Sequence, residues 1–100
     1  MVKLSLLVRL VARPGKEEEL AAVLSGAVAL AEAEPATVAW FGFRISKSEF
    51  GVFDAFADEA GRQAHLGGQI AAALMAKAPA LLAEPPRIER LDLLGAKLPR

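Results

Sequence analysis

One hundred residues, 54% of them hydrophobic and 24% charged, are enough for one compact core and too few for two, so a single domain over 1–100 is expected. The twelve basic and twelve acidic side chains cancel and neither sign forms a long run, so neither a nucleic acid nor a membrane surface is an expected partner. Zero cysteines exclude disulfides, iron–sulfur clusters and a cysteine nucleophile, and one histidine makes a zinc or copper site unexpected.

The N-terminal "KLSLLVRLVAR" is rich in Leu and Val and stops at Pro14-Gly15, a pair that turns the chain. Arg9 interrupts the apolar run, which therefore reads as a first strand and not as a signal peptide, and a cytoplasmic protein is expected. "KEEELAAVLSGAVALAEAE" places Leu20, Leu24, Ala27, Val28 and Ala31 at helical spacing, with Glu17, Glu18 and Glu19 near the positive end of the dipole, and stops at Pro35. "ATVAWFGFRI" and "FGVFDAFA" are runs of aromatic and β-branched residues around "SKSE", which predicts a hairpin. Asp58 is a good N-cap for "DEAGRQAHL", a short helix ending at Gly67-Gly68. "QIAAALMAKAPALLAE" predicts a third helix bent or broken at Pro79, and "RIERLDLL" a last strand.

The order βαββααβ implies an α+β, ferredoxin-like antiparallel sheet with helices on one face. Pairing Ile45 with Phe50 sets the expected hairpin register, which also pairs Phe43 with Val52, Phe41 with Asp54 and Ala39 with Phe56, and leaves Val38, Trp40, Gly42, Arg44, Phe53 and Ala55 on the opposite face. Both faces of that hairpin are then mostly apolar, and the chain has helices for one side only. The simplest cover for the other face is a second copy of the chain, which implies a homodimer, with the tail "GAKLPR" and its Leu98 running along the partner.

Taken together, "VARPGKEEEL", the run "FDAFADEAGRQAHL" with Asp54, Phe56 and His65, and the element order resemble the antibiotic-biosynthesis monooxygenase domain, a family of dimeric α+β barrels. The resemblance implies oxidation of a small aromatic quinol or polyphenol by dioxygen with neither metal nor flavin. The chain departs from the family in three ways. Ile70 stands five positions after His65, where many members have a second histidine, and the chain has neither tyrosine nor asparagine, so a histidine-pair mechanism and haem degradation are not implied.

Two residues are candidates for proton transfer. His65 has Gly61 at i−4 and Gly68 at i+3, which gives the imidazole room at a cavity edge, where an ordinary pKa of about 6.5 suits a base. The alternative is that the glycines permit close packing and His65 bonds a backbone carbonyl. Asp54 falls among aromatic residues, where burial favours the neutral acid, or else it pairs with Arg9, Arg44 or Arg90 or reaches water as a strand-end carboxylate. Trp40, Phe41, Phe43 and Phe56 are candidate walls of an aromatic-ligand pocket or members of the core and dimer interface. Arg44 is a candidate ligand for a substrate oxygen, stacks on Trp40, or forms an ion pair between subunits. The second reading of the whole chain is a non-catalytic, ligand-binding or stress-related dimer of the same fold.

Overall fold

In the computed structural model, which describes residues 1–99, the chain forms β1 (Leu4–Val11), α1 (Glu17–Gly26), α2 (Val28–Glu32), β2 (Thr37–Arg44), β3 (Glu49–Phe56), α3 (Glu59–Leu66), α4 (Gln69–Leu81) and β4 (Arg87–Asp92). The four strands make one antiparallel sheet in the order β2-β3-β1-β4, the ferredoxin-like arrangement. Among the described residues, no helix is long and apolar enough to cross a membrane.

Local chemistry explains the element boundaries. Pro14 and Gly15 occupy the centre of a turn closed by Lys16 N–H donating to the Arg13 carbonyl at 2.9 Å, and Gly15 takes φ 85°, which a side chain would resist. The helix expected over residues 16–34 is interrupted at Ala27, whose N–H is shared between the carbonyls of Val23 and Leu24, so α1 and α2 are separate pieces. Pro79 does not break α4, which runs on to Leu81, and the Pro79 carbonyl accepts from Arg13 Nε at 3.0 Å. Asp58 caps α3 by accepting from Gly61 N–H at 2.9 Å.

The main core lies between the sheet and α1, where Leu20 and Leu24 pack with Leu10, Phe50, Val52 and Leu82. On this helix-covered face the register forms rows across the sheet. One row is Arg90, Leu6, Asp54 and Trp40; another is Ile88, Val8, Val52 and Gly42. The opposite face carries Glu89, Leu7, Phe53 and Phe41 in one row and Arg87, Arg9, Gly51 and Phe43 in the next. There Phe41 is 55% exposed and Phe43 37% exposed.

The hairpin register differs by one residue from the one expected. Arg44, not Ile45, pairs with Phe50, and Phe43 pairs with Gly51, Phe41 with Phe53, Trp40 with Asp54 and Ala39 with Ala55. The N–H groups of both Ile45 and Ser46 donate to the Glu49 carbonyl, so the loop holds Ile45 as well as "SKS". The slip exchanges the faces of β2: Trp40, Gly42 and Arg44 turn toward the helices, while Phe41 and Phe43 turn away. Asp54 keeps its place with Phe50, Val52 and Phe56, because alternation along β3 fixes its face whatever β2 does.

Candidate functional site

The centre of the site is a chain of three side chains from three parts of the fold. His65 projects from α3, Asp54 from β3, and Glu34 from the turn between α2 and β2. His65 Nδ1 lies 2.6 Å from Glu34 Oε1, and His65 Nε2 lies 2.8 Å from Asp54 Oδ2. The first contact is a well-formed hydrogen bond. The second is an ion-pair contact off the hydrogen-bond direction, so both Asp54 oxygens are buried without a hydrogen-bond partner in the protein. Asp54 is 0% exposed and His65 7%.

Neighbouring residues fix this arrangement. Thr37 Oγ1 donates to the same Glu34 oxygen at 2.7 Å, holding the carboxylate toward the imidazole. Phe56 lies under the histidine ring, with centroids 5.4 Å apart and planes tilted by 44°. Arg62, one turn earlier on α3, is buried and bonds Glu59 at 2.6 and 3.0 Å, and its Nη1 reaches the Ser5 carbonyl at 3.3 Å, which ties the helix to the end of β1. The glycines flanking His65 answer to packing. A Cβ on Gly61 would stand 3.2 Å from the Ala36 carbonyl oxygen, and one on Gly68 would stand 2.7 Å from Glu34 Oε2. They let the 34–36 turn close on α3, and that closure brings Glu34 to His65.

The electrostatics follow from the three groups. Burial, the largest single influence on His65, disfavours its charged form, but the close Asp54 carboxylate and the hydrogen-bonded Glu34 together outweigh it and hold the pKa above the ordinary imidazole value of 6.5. The expectation of an unperturbed base with free surroundings is thereby corrected. Both ring nitrogens face carboxylates, and the protonated form is the favoured one. A group whose folded pKa is raised stabilises the fold fully below its unfolded value, about 6.5, and loses that contribution as pH rises through the folded value. Denaturation midpoints measured from pH 6 to pH 9 are therefore expected to fall across this window, with a shallower fall in Glu34→Gln, which removes one of the two attracting charges. An equal slope in both proteins would sever the link to Glu34.

The remaining candidates are distributed around two clefts. One, of about 530 Å³, runs along the β2 edge and is lined by Trp40, Phe41, Phe43, Arg44 and Phe50, with Gly42 and residues of α1. The other, of about 420 Å³, is lined by Glu34, Thr37, Val38 and Trp40 among others. Trp40 borders both, and its indole N–H is buried without a partner. Neither His65 nor Asp54 lines either cleft, and Phe56, fully buried against His65, lies in the core and not on a cleft wall. Arg44 stacks on Phe50, 4.8 Å from the ring centroid, and not on Trp40, and it pairs with Glu18 of its own chain at 2.9 Å. The arginine partners expected for Asp54 go elsewhere too, Arg9 to Glu89 at 3.6 Å. No group of three His, Asp or Glu side chains among the described residues is arranged to hold a metal ion.

Comparison with known proteins adds the following. No family model matches the sequence, and no curated protein matches it. Among solved structures the chain is 63% identical to NE2512, a protein of unknown function from Nitrosomonas europaea, with a TM-score of 0.99, covering 100% of this chain and 97% of that one. It superposes with a TM-score of 0.81 and 23% identity on a candidate antibiotic biosynthesis monooxygenase from Caulobacter crescentus, over 94% of this chain and 92% of that one. A second candidate antibiotic biosynthesis monooxygenase, from Nitrosomonas europaea, gives a TM-score of 0.82 at 14% identity, over 92% and 90%.

Proposed function

We propose, from the premise that this chain belongs to the same family as NE2512 and has the fold of the antibiotic-biosynthesis monooxygenases, that it oxidises a small aromatic quinol or polyphenol held along β2. The observation that carries this reading is the placement of Glu34, which lines one cleft while it holds the imidazole that contacts buried Asp54. Trp40 and Val28 line both that cleft and the aromatic one. A quinol hydroxyl brought past Trp40 meets a carboxylate already bonded to an imidazolium, so the proton passes to Glu34 while His65 and Asp54 keep the local charge balanced. The electron-rich anion then supplies all four electrons to dioxygen: a ring C–H bond is replaced by C–O, the quinol becomes a hydroxyquinone, and the second oxygen leaves as water with the two hydrogens the substrate loses. In this reading Trp40, Phe41, Phe43 and Arg44 bind the ring, Glu34 handles the proton, and His65 and Asp54 act through Glu34 as positioning residues.

One observation favours a second reading, a ligand-binding protein without catalysis: His65 and Asp54 line neither cleft, and both ring nitrogens are engaged. Oxygen uptake with a model quinol separates the two. The catalytic reading expects turnover above the autoxidation background and a loss of about 10²-fold in Glu34→Gln, the usual scale for removing an acid–base group. A parent protein that binds the quinol yet consumes oxygen only at the background rate decides for binding alone.

A further inference from the structure

The buried core is not continuous. One cluster joins Leu24, Val52 and their neighbours to α1 and the sheet, and a smaller one comprises Ala27, Ala31 and Ile70. Beside them, and open to solvent on one side, is a cavity of about 290 Å³ whose walls include Leu24 and Val52 from the first cluster and Ala27 and Ile70 from the second. Ala22 and Gly26 on α1 and Ala73 on α4, with little or no side chain, form part of its walls. Apolar walls that face water gain when an apolar occupant covers them, because that surface is then removed from solvent.

The lining also specifies the occupant. Apart from Lys77 every lining side chain is apolar or glycine, and Lys77, exposed on α4, makes no ion pair among the described residues. Ile70, at the position where the sequence departs from the histidine of its resemblance, forms part of this wall and offers no hydrogen bond. The volume sits at the lower end of the range for ligand pockets, which suits a slim chain. No acidic residue lines the cavity, so a single cation meets the head of whatever enters.

We propose that this cavity binds a small amphiphilic carboxylate, with its hydrocarbon chain lying between α1 and α4 and its carboxylate on Lys77. The site shares only Leu24 with the cleft along β2 and does not involve the Glu34–His65–Asp54 chain.

Titration calorimetry of the full chain with octanoate tests the proposal. One site per chain is expected, with hexanoate weaker by about fifteenfold, since each buried methylene contributes about fourfold in affinity. Octylamine, with the same tail and the opposite charge, is expected to bind about tenfold more weakly. Lys77→Glu is expected to weaken octanoate by about tenfold, and Ala73→Leu, which fills the cavity, to abolish binding with an unchanged circular dichroism spectrum. The proposal is overturned by octanoate binding that survives Ala73→Leu, by octylamine binding as tightly as octanoate, or by the absence of saturable binding in the parent. Glu34→Gln leaves octanoate affinity unchanged, so failure of the oxidation reading and failure of this one are told apart.

Discussion

Replacing His65 by alanine is expected to destabilise the fold by about 3–5 kcal/mol, the scale for removing one partner of a buried ion pair. Asp54 is the reason. Its side chain is fully buried, and among the described residues its one ion-pair partner is His65 Nε2 at 2.8 Å and neither carboxylate oxygen has a hydrogen bond to fall back on. Without the imidazole, a carboxylate flanked by Leu6 and Trp40 on the neighbouring strands has no compensation. For a domain of this size the loss is a large fraction of the whole stability and lowers the thermal midpoint by more than about 10 °C. The double variant Asp54→Asn with His65→Ala is expected to be more stable than His65→Ala alone, because it removes the stranded charge together with its partner. Urea denaturation of the four members of this cycle measures the coupling. A His65→Ala protein within about 1 kcal/mol of the parent would mean that the imidazole does not balance Asp54.

The element order and the helix-covered face were legible because alternation, capping and Pro-Gly punctuation agree with one another along most of the chain. Leu6 and Leu10 point inward together, as do Leu20 and Leu24, and these spacings survive folding unchanged. The hairpin register was not legible for a physical reason. Residues 38–43 and 50–56 are largely apolar on both faces, so sliding β2 by one residue exchanges Trp40 for Phe41 against the core with little change in hydrophobic pattern, and the choice falls to the loop bonds from Ile45 and Ser46 to Glu49. His65 and Asp54 could be singled out by rarity and by position. Glu34 could not, since it stands 31 residues from His65 beside Pro35 and resembles a helix end. The one local sign was Gly68, whose missing Cβ leaves room for the Glu34 carboxylate, and nothing in the sequence says what that room is for.

The chain is expected to sediment as a dimer of its 10.5 kDa subunit at micromolar concentration, and Phe41→Asp is expected to give a folded monomer. The argument rests on the sheet face that the helices leave bare. Phe41, Phe53 and Leu7 form a row across β2, β3 and β1 on that face, and Phe43 lies beside them with its ring over Gly51, where a Cβ would stand 2.5 Å from the ring carbons. Toward β4 the same face becomes charged, with Arg9 paired to Glu89 and Arg87 alongside. An apolar patch over β2, β3 and β1 bordered by charge toward β4 suits a specific interface, and two such faces pack as stacked sheets. Leu94 and Leu98 in the tail are exposed on their own chain, in keeping with the expected path of residues 95–100 along the partner, of which Arg100 lies outside the described residues. Phe41 is the residue to change because it is more than half exposed in the single chain, so an aspartate there leaves the subunit core intact and places a charge at the β2 end of the apolar row. Sedimentation at several concentrations, with circular dichroism as the check on folding, reads the outcome. A parent protein that is monomeric and stably folded at these concentrations, or a Phe41→Asp variant that remains dimeric, removes the bare sheet face as the interface.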